Sequence, residues 1–294
     1  MTSLVWIASY PKSGNTWMRV LISNLRTPGS QPSNLNRLDD NAELASSRFL
    51  FDRITLLESG LLRPCEIDAL RPAVHQARAA ELARECEGTP AKDGALPRFS
   101  KCHDAYARLR NGTALLGGAQ ASSGAIVVVR DPRDVVPSLA HHSGRPIDAV
   151  IDSLNDPGAQ LSRTRRGQEP QLHQRLLDWS GHVDSWLKQC DIPVHLVRYE
   201  DLTLSTPRTL LHAMQFAGWT ISRAEAEAAA RASSFDVLKE QEDRDGFSEG
   251  RRGASFFRRG TVGNWCTELT MQQVRQIEAM HGEMMTRLGY ALST

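Results

Sequence analysis

Short apolar runs alternate with polar, Gly- and Pro-containing punctuation along this chain. Residues 4–8 (Leu-Val-Trp-Ile-Ala) suit a buried strand, and residues 18–22 carry the apolar positions of a buried helix face, so the stretch between them is a tight strand-to-helix loop. Residues 125–129 (Ala-Ile-Val-Val-Val) have the unbroken apolar character of a parallel strand covered on both faces. Residues 97–103 read as a short strand ending in Lys101 and His103, and residues 192–202 as a strand with Tyr199 and Glu200 at its end. Helical spacing appears at 49–62, 65–70, 74–86, 206–217, 222–232 and 270–288, and over 171–190, where Leu176, Trp179, Val183, Trp186 and Leu187 recur at helical intervals. The pattern predicts an α/β fold: a central, mostly parallel sheet with helices on both faces and a P-loop-like strand-loop-helix at its start.

Between these elements, residues 27–41 are rich in Pro, Ser and Asn and read as a surface loop. Residues 143–171 read as an irregular stretch with a mobile middle. Its basic cluster, Arg163, Arg165 and Arg166, suits either a lid over an acidic acceptor or ordinary solvated loop charge. The helices of 41–94 interrupt a simple βαβ rhythm. With 143–171 they are expected to form a cap on the acceptor side of one domain spanning 1–294, a length that can bury a substantial core.

Charge and cysteine content narrow the function classes. Lys plus Arg (35) nearly balances Asp plus Glu (34), so no overall basic surface prompts a nucleic-acid partner. Five scattered cysteines without C-x-x-C spacing suggest neither a disulfide framework nor a zinc site, and a reducing cytoplasm is the expected location. The first apolar run is too short for a signal segment, and no stretch reaches membrane-spanning length.

The loop from Ser9 to Trp17 carries the clearest chemistry. Backbone N–H groups at a helix start are unsatisfied and the dipole adds partial positive charge, so the loop, with Lys12 and Ser13 as further donors, suits a phosphate or sulfate. Against G-x-x-x-x-G-K-[ST], Ser9 stands at the first Gly, Gly14 at the second, Asn15 at the lysine and Thr16 at the hydroxyl, so the arrangement that holds a β/γ-phosphate and Mg²⁺ is incomplete. An ordinary βα turn containing a glycine is the plainer alternative. Lys101 and His103, two apart on a strand, share one face at the edge where α/β enzymes gather ligands. Arg130 leaves the next strand at the same edge, either for an anion or to pair with Asp131 or Asp134, and Ser138 follows two turns into the helix that Pro132 opens.

Six stretches carry a family resemblance. Tyr10 to Trp17 matches Y-P-K-S-G-T-T-W except at Asn15, and Phe99 to His103 matches F-x-K-T-H except at Cys102. Arg130 to Ser138 matches R-[ND]-P-[KR]-D-x-x-x-S, Trp179 to Trp186 matches W-x-x-H-V-x-x-W, and Tyr199-Glu200-Asp201-Leu202 follows. Arg258 to Trp265 matches R-K-G-x-x-G-D-W with Arg259 for Lys and Asn264 for Asp. In this order and number they cover almost the whole chain, which resembles the sulfotransferases that use 3′-phosphoadenosine 5′-phosphosulfate (PAPS), in the cytosolic small-molecule branch.

The resemblance implies an enzyme that moves sulfuryl from PAPS to a hydroxyl, less readily an amine, of a small molecule, releasing 3′-phosphoadenosine 5′-phosphate (PAP) without a metal. Lys12, Ser13, Gly14, Asn15, Thr16 and Trp17 would cradle the phosphosulfate. Arg130, Ser138, Arg258, Arg259 and Gly260 would hold the 3′-phosphate, and Tyr199, Ser233 and Phe235 would line the adenine side. His103 would be the base, expected near its ordinary pKa of about 6.5, with Lys12 and Lys101 as catalytic cations. Cys266 replaces a Lys of the family's dimer contact and only Thr270 is retained there, so any homodimer would use a non-standard contact. A P-loop-like phosphotransferase and a non-catalytic PAPS-binding protein are the competing readings.

Overall fold

The computed structural model describes residues 4–27, 29, 32–38, 44–87, 96–162, 170–250 and 255–293. Four parallel strands build the sheet: β1 (Leu4–Ser9), β2 (Arg98–Cys102), β3 (Gly124–Val129) and, after two-residue strands β4 (Gln160–Leu161) and β5 (Gln174–Arg175), β6 (Val194–Arg198). Their order is β2-β1-β3-β6, and β4 and β5 form a separate antiparallel pair. Twelve α-helices are described: α1 (Asn15–Arg26), α2 (Arg48–Thr55), α3 (Pro64–Glu87), α4 (Pro132–Ser143), α5 (Ile147–Leu154), α6 (Trp179–Lys188), α7 (Tyr199–Leu204), α8 (Thr206–Phe216), α9 (Arg223–Ala232), α10 (Phe235–Asp245), α11 (Trp265–Glu268) and α12 (Met271–Arg287).

Strand alternation divides the core into two layers. Val5, Ile7, Ile126 and Val128 pack against Met18, Leu21 and Ile22 of α1, Leu210 and Met214 of α8, and Ala226 and Ala229 of α9. On the other face, Trp6, Ala8, Val127 and Val129 meet α4, α5, α6 and α12 through Val135, Val150, Trp179, Trp186 and Ile277. Both faces are therefore covered, which explains why the strand sequences are apolar without interruption.

Several elements differ from their expected form. The helices expected at 65–70 and 74–86 are one helix, α3, running through Pro72. The helix expected over 171–190 is α6 alone. It begins after Asp178, whose side chain accepts from Gly181 N, while Gln174–Arg175 pairs with β4 and Leu177 has φ +61°. The stretch 143–171 contains α5, with Ile147, Val150, Ile151 and Leu154 at helical spacing. Residues 163–169, which hold the basic cluster, lie outside the described residues.

Candidate functional site

The parallel register brings the chemistry to one edge of the sheet. Ala8 pairs with Cys102, Ser9 with Val128, and Val129 with Arg198. The residues that follow the strand ends are thereby neighbours: the Ser9 loop, His103, Arg130 and Tyr199. In an open parallel sheet, this carboxyl-terminal edge is where ligands bind.

The loop turns sharply at Lys12, which has φ +65°, and at Gly14, with φ +109°. A left-handed lysine is strained, and such strain gathers at functional turns. Gly14 is required for a second reason: a Cβ there would lie 2.7 Å from Tyr199 Cδ2, so the ring packs directly on the backbone. Asn15 is turned inward. Its Nδ2 donates to Ile7 O at 2.8 Å and to Ser9 Oγ at 3.3 Å, tying the helix start to β1. The position that holds the Walker lysine elsewhere is thus a structural brace. Ser13 Oγ and Arg130 Nε are buried without a hydrogen-bond partner among the described residues, as groups prepared for an anion would be.

Lys12 Nζ lies 3.5 Å from the centre of the Phe256 ring. Burial, then the fields of Arg130 and Lys101, lower its pKa to about 7, with Glu242 and Glu249 opposing. His103 Nδ1 is 2.7 Å from Ser9 O, and because a carbonyl only accepts, Nδ1 carries the proton and Nε2 is left as the basic nitrogen. Burial and the Lys101 charge push His103 down to about 3. This corrects the expectation of an ordinary imidazole: the ring is held neutral by its surroundings at any physiological pH. A bound anionic donor acts in the opposite direction.

Of the two aspartates that the sequence offers Arg130, the structure pairs it with Asp134. Asp131 is taken by Arg133, at 2.7 Å, whereas Arg130 NH2 lies 3.8 Å from Asp134, with its guanidinium 4.4 Å over Tyr199. It also donates to Lys12 O at 3.4 Å and Thr261 O at 3.2 Å, so one side chain links the first loop to the C-terminal segment. Asp134 completes that link by accepting from Gly263 N at 2.7 Å and Trp265 N at 3.0 Å. Ser138 sits half-buried farther along α4.

The remaining expected residues fall into two groups. Trp17 Nε1 donates to Ser233 O at 2.9 Å, and the Trp17 and Tyr199 rings meet edge-on at 5.7 Å, so Trp17, Tyr199 and Ser233 form one wall. Phe235 adjoins Gly260, where φ is +64° and a Cβ would stand 2.2 Å from Phe235 Cδ2. Arg258 and Arg259 are engaged elsewhere: both pair with Glu268, Arg258 through bonds of 2.5 and 2.8 Å and Arg259 at 3.3 Å. The loop that carries them is placed beside Arg130, but their guanidinium groups are committed to a carboxylate.

Two residues of the site carry no motif. Glu249 accepts from Lys101 Nζ at 2.7 Å and from Arg19 NH1 at 2.6 Å, and these cations hold its carboxyl down to about 2. Arg19 was legible only as a charge inside the apolar run of α1; Glu249 had no local signal.

The helix α3 is tied to the strand end that carries His103. The fully buried Arg71 binds Asp104 through 3.0 and 2.5 Å bonds, and Asp68 binds Arg175 at 2.5 Å and His173 at 2.9 Å. Among the described residues no group of three or more His, Cys, Asp and Glu is placed to hold a metal ion, and no helix is long and apolar enough to cross a membrane.

A family model described as a sulfotransferase domain matches residues 3–289. The chain belongs to the sulfotransferase family. It is 26% identical to sulfotransferase 6B1 of Danio rerio over 160 residues, 53% of this chain and 50% of that protein. It is 23% identical to the amine sulfotransferase of Oryctolagus cuniculus over 296 residues, 96% and 80% of the two chains. The chain spans about half the length of the first curated relatives it matches, as with the Danio rerio protein and, at 49%, a 3-alpha-hydroxysteroid sulfotransferase of Cavia porcellus. Mouse sulfotransferase SULT7A1 complexed with PAP has the same fold, with a TM-score of 0.57 at 18% identity over 97% of this chain and 85% of that chain. A retinol dehydratase in complex with androsterone and PAP gives a TM-score of 0.55, covering 97% and 81%.

Proposed function

We propose that this sulfotransferase moves the sulfuryl group of PAPS in line to the hydroxyl of a small-molecule acceptor, with His103 as general base, within one domain spanning 1–294. The observation that carries this reading is His103 with its proton fixed on Nδ1 and its free Nε2 at the sheet edge that also holds Lys12 and Lys101. Nε2 takes the acceptor proton as the acceptor oxygen bonds to sulfur. The bond from sulfur to the bridging oxygen breaks, and Lys12 stabilises the negative charge that collects on PAP. Transfer of this kind needs positioning and positive charge, which here come from side chains.

The donor would lie with its phosphosulfate on the loop from Lys12 to Trp17, its adenine against Trp17, Tyr199 and Phe235, and its 3′-phosphate beside Arg130 and Ser138. The unpartnered Ser13 Oγ and Arg130 Nε support this fit. Arg258 and Arg259 would reach the 3′-phosphate by exchanging Glu268 for it. A kinase-like reading is disfavoured by Asn15, whose side chain faces β1 and leaves no cation at the Walker position. The acceptor would present its hydroxyl to His103, and residues 41–94 and 143–171 would shape the pocket that receives it. Cys65, Cys102, Cys190 and Cys266 are free thiols, which supports a reducing, cytoplasmic setting for the reaction.

The deciding experiment supplies labelled PAPS and a metabolite extract of the source organism to the protein and reads sulfated products by mass spectrometry. Failure of any product to gain sulfate, despite tight PAPS binding, would support a non-catalytic binder. Arg130→Ala is expected to weaken PAP by roughly tenfold to a hundredfold, the range of a lost charge-assisted bond. Adenosine 5′-phosphosulfate, which lacks the 3′-phosphate, should lose much less, and equal losses measured by calorimetry would contradict the pairing. Gly260→Ala should displace Phe235 and weaken PAP about tenfold or more, because the added Cβ overlaps a ring and φ is left-handed; unchanged affinity would remove Phe235 from the adenine wall.

A further inference from the structure

Lys12, Lys101 and Arg19 place three cations around the transfer site, and a cradle of like charges is costly to keep without a counter-ion. Glu249 supplies one from a turn that follows α10. One carboxylate oxygen meets Lys101 at 2.7 Å and the other meets Arg19 at 2.6 Å, with the Arg19 side chain 0% exposed. Lys101 is two residues before His103, so the group that fixes its ammonium also fixes a charge beside the base.

We propose that Glu249 is a positioning residue of the transfer site: its carboxylate holds the Lys101 ammonium beside His103 and supplies the negative charge against which the Lys12 cradle keeps its cations. The proposal rests on the sulfotransferase reading above and adds to it a residue that belongs to none of the six motifs. Glu249 acts through Lys101 and through its field, without itself taking the transferred proton.

The groups that face Lys12 are Arg130 from the end of β3, Lys101 from β2, His142 from α4, Glu242 from α10 and Glu249 from the turn beyond it. Arg130 and Lys101 favour loss of the Lys12 proton, whereas Glu242 and Glu249 favour keeping it. His103 is subject to the same opposition between Lys101 and Glu249, with His182 on the side of Lys101. Glu249 is therefore a shared counterweight for the cation and the base.

The test is the pH dependence of PAP affinity from pH 6 to 9, measured by calorimetry, in which affinity falls as Lys12 deprotonates. The wild type should show a midpoint near 7. Glu249→Gln, which keeps the shape and removes the charge, should move that midpoint down by about one unit, a roughly tenfold loss at alkaline pH. Lys101→Gln should move it up. The double variant, which removes both partners of the Lys101–Glu249 pair, should return near the wild-type midpoint. Lys101→Gln leaves the Arg19–Glu249 pair in place and carries the test where Glu249→Gln does not fold: an unmoved midpoint there overturns the proposal. A double variant that keeps the midpoint of Lys101→Gln, or a Glu249→Gln profile parallel to wild type, overturns the proposal. Failure of wild-type protein to bind PAP at any pH would instead overturn the reading of the site as a PAPS cradle.

Discussion

Lys12→Met is expected to abolish sulfuryl transfer and, below pH 7, to raise the melting temperature. The two effects have one cause. Lys12 is held at a left-handed φ of +65°, largely enclosed by protein, with Arg130 and Lys101 nearby, and its pKa falls to about 7. The unfolded chain keeps this lysine protonated to about 10.4. Between these values the unfolded state binds more protons than the folded one, so stability rises with pH across that window, and below pH 7 the full cost of burying the charge is present. Methionine fills similar volume without charge. The variant should therefore gain a few degrees at pH 6 and lose that advantage as pH approaches 10, read by calorimetric melts. Transfer should fall by about a thousandfold, the upper range for removing one stabilising donor at a developing charge. In the wild type, kcat/KM for PAPS should decline above pH 7 as free enzyme loses the Lys12 proton, since that parameter reports the free enzyme. A Lys12→Met enzyme that turns over at wild-type rate would remove the lysine from the leaving-oxygen role.

The sheet was legible because both of its faces are covered. Burial on two sides leaves β1 and β3 without a polar face, and such runs are hard to confuse with anything but strand or core. Helix limits were less legible where tertiary contacts override spacing. Leu176 continues the apolar rhythm of α6, yet its N–H donates to Ala159 O at 2.9 Å and the helix waits for the Asp178 cap. The short α5 was hidden between Gly144-Arg145-Pro146 and Asp156-Pro157-Gly158, punctuation that reads as loop although the eight residues inside it carry a full apolar stripe. For the site, motifs located the groups at strand ends. They could not show that Arg258 and Arg259 are paired with Glu268, or that Arg133 rather than Arg130 binds Asp131. Arg19 and Glu249 meet across 230 positions of sequence, and no local pattern encodes such a contact.

His103→Gln is expected to retain PAP binding within about twofold and to lose two to four orders of magnitude in kcat, the usual range for a positioned general base. The wild-type ring is held by its Nδ1–H bond to Ser9 O, which leaves Nε2 as the nitrogen with a lone pair. Glutamine places its amide near the Nε2 position of the ring and offers no nitrogen that can take a proton, so the substitution removes basicity while keeping a polar side chain of similar reach. Because burial and Lys101 already push the His103 pKa to about 3, protonation of the free imidazole does not limit the reaction between pH 5 and 8. The acid limb of kcat/KM should lie below that range, in contrast to an enzyme whose base titrates near 6.5. Such a low pKa also makes His103 a weak proton acceptor in the free protein, and the negative charge of a bound donor would raise it. This coupling predicts order: the acid limb of kcat, which reports the bound enzyme, should lie at higher pH than that of kcat/KM. Coincident limbs in stopped-time assays with labelled PAPS would show that the donor charge does not reach His103, and an unchanged kcat in His103→Gln would show that another group takes the proton.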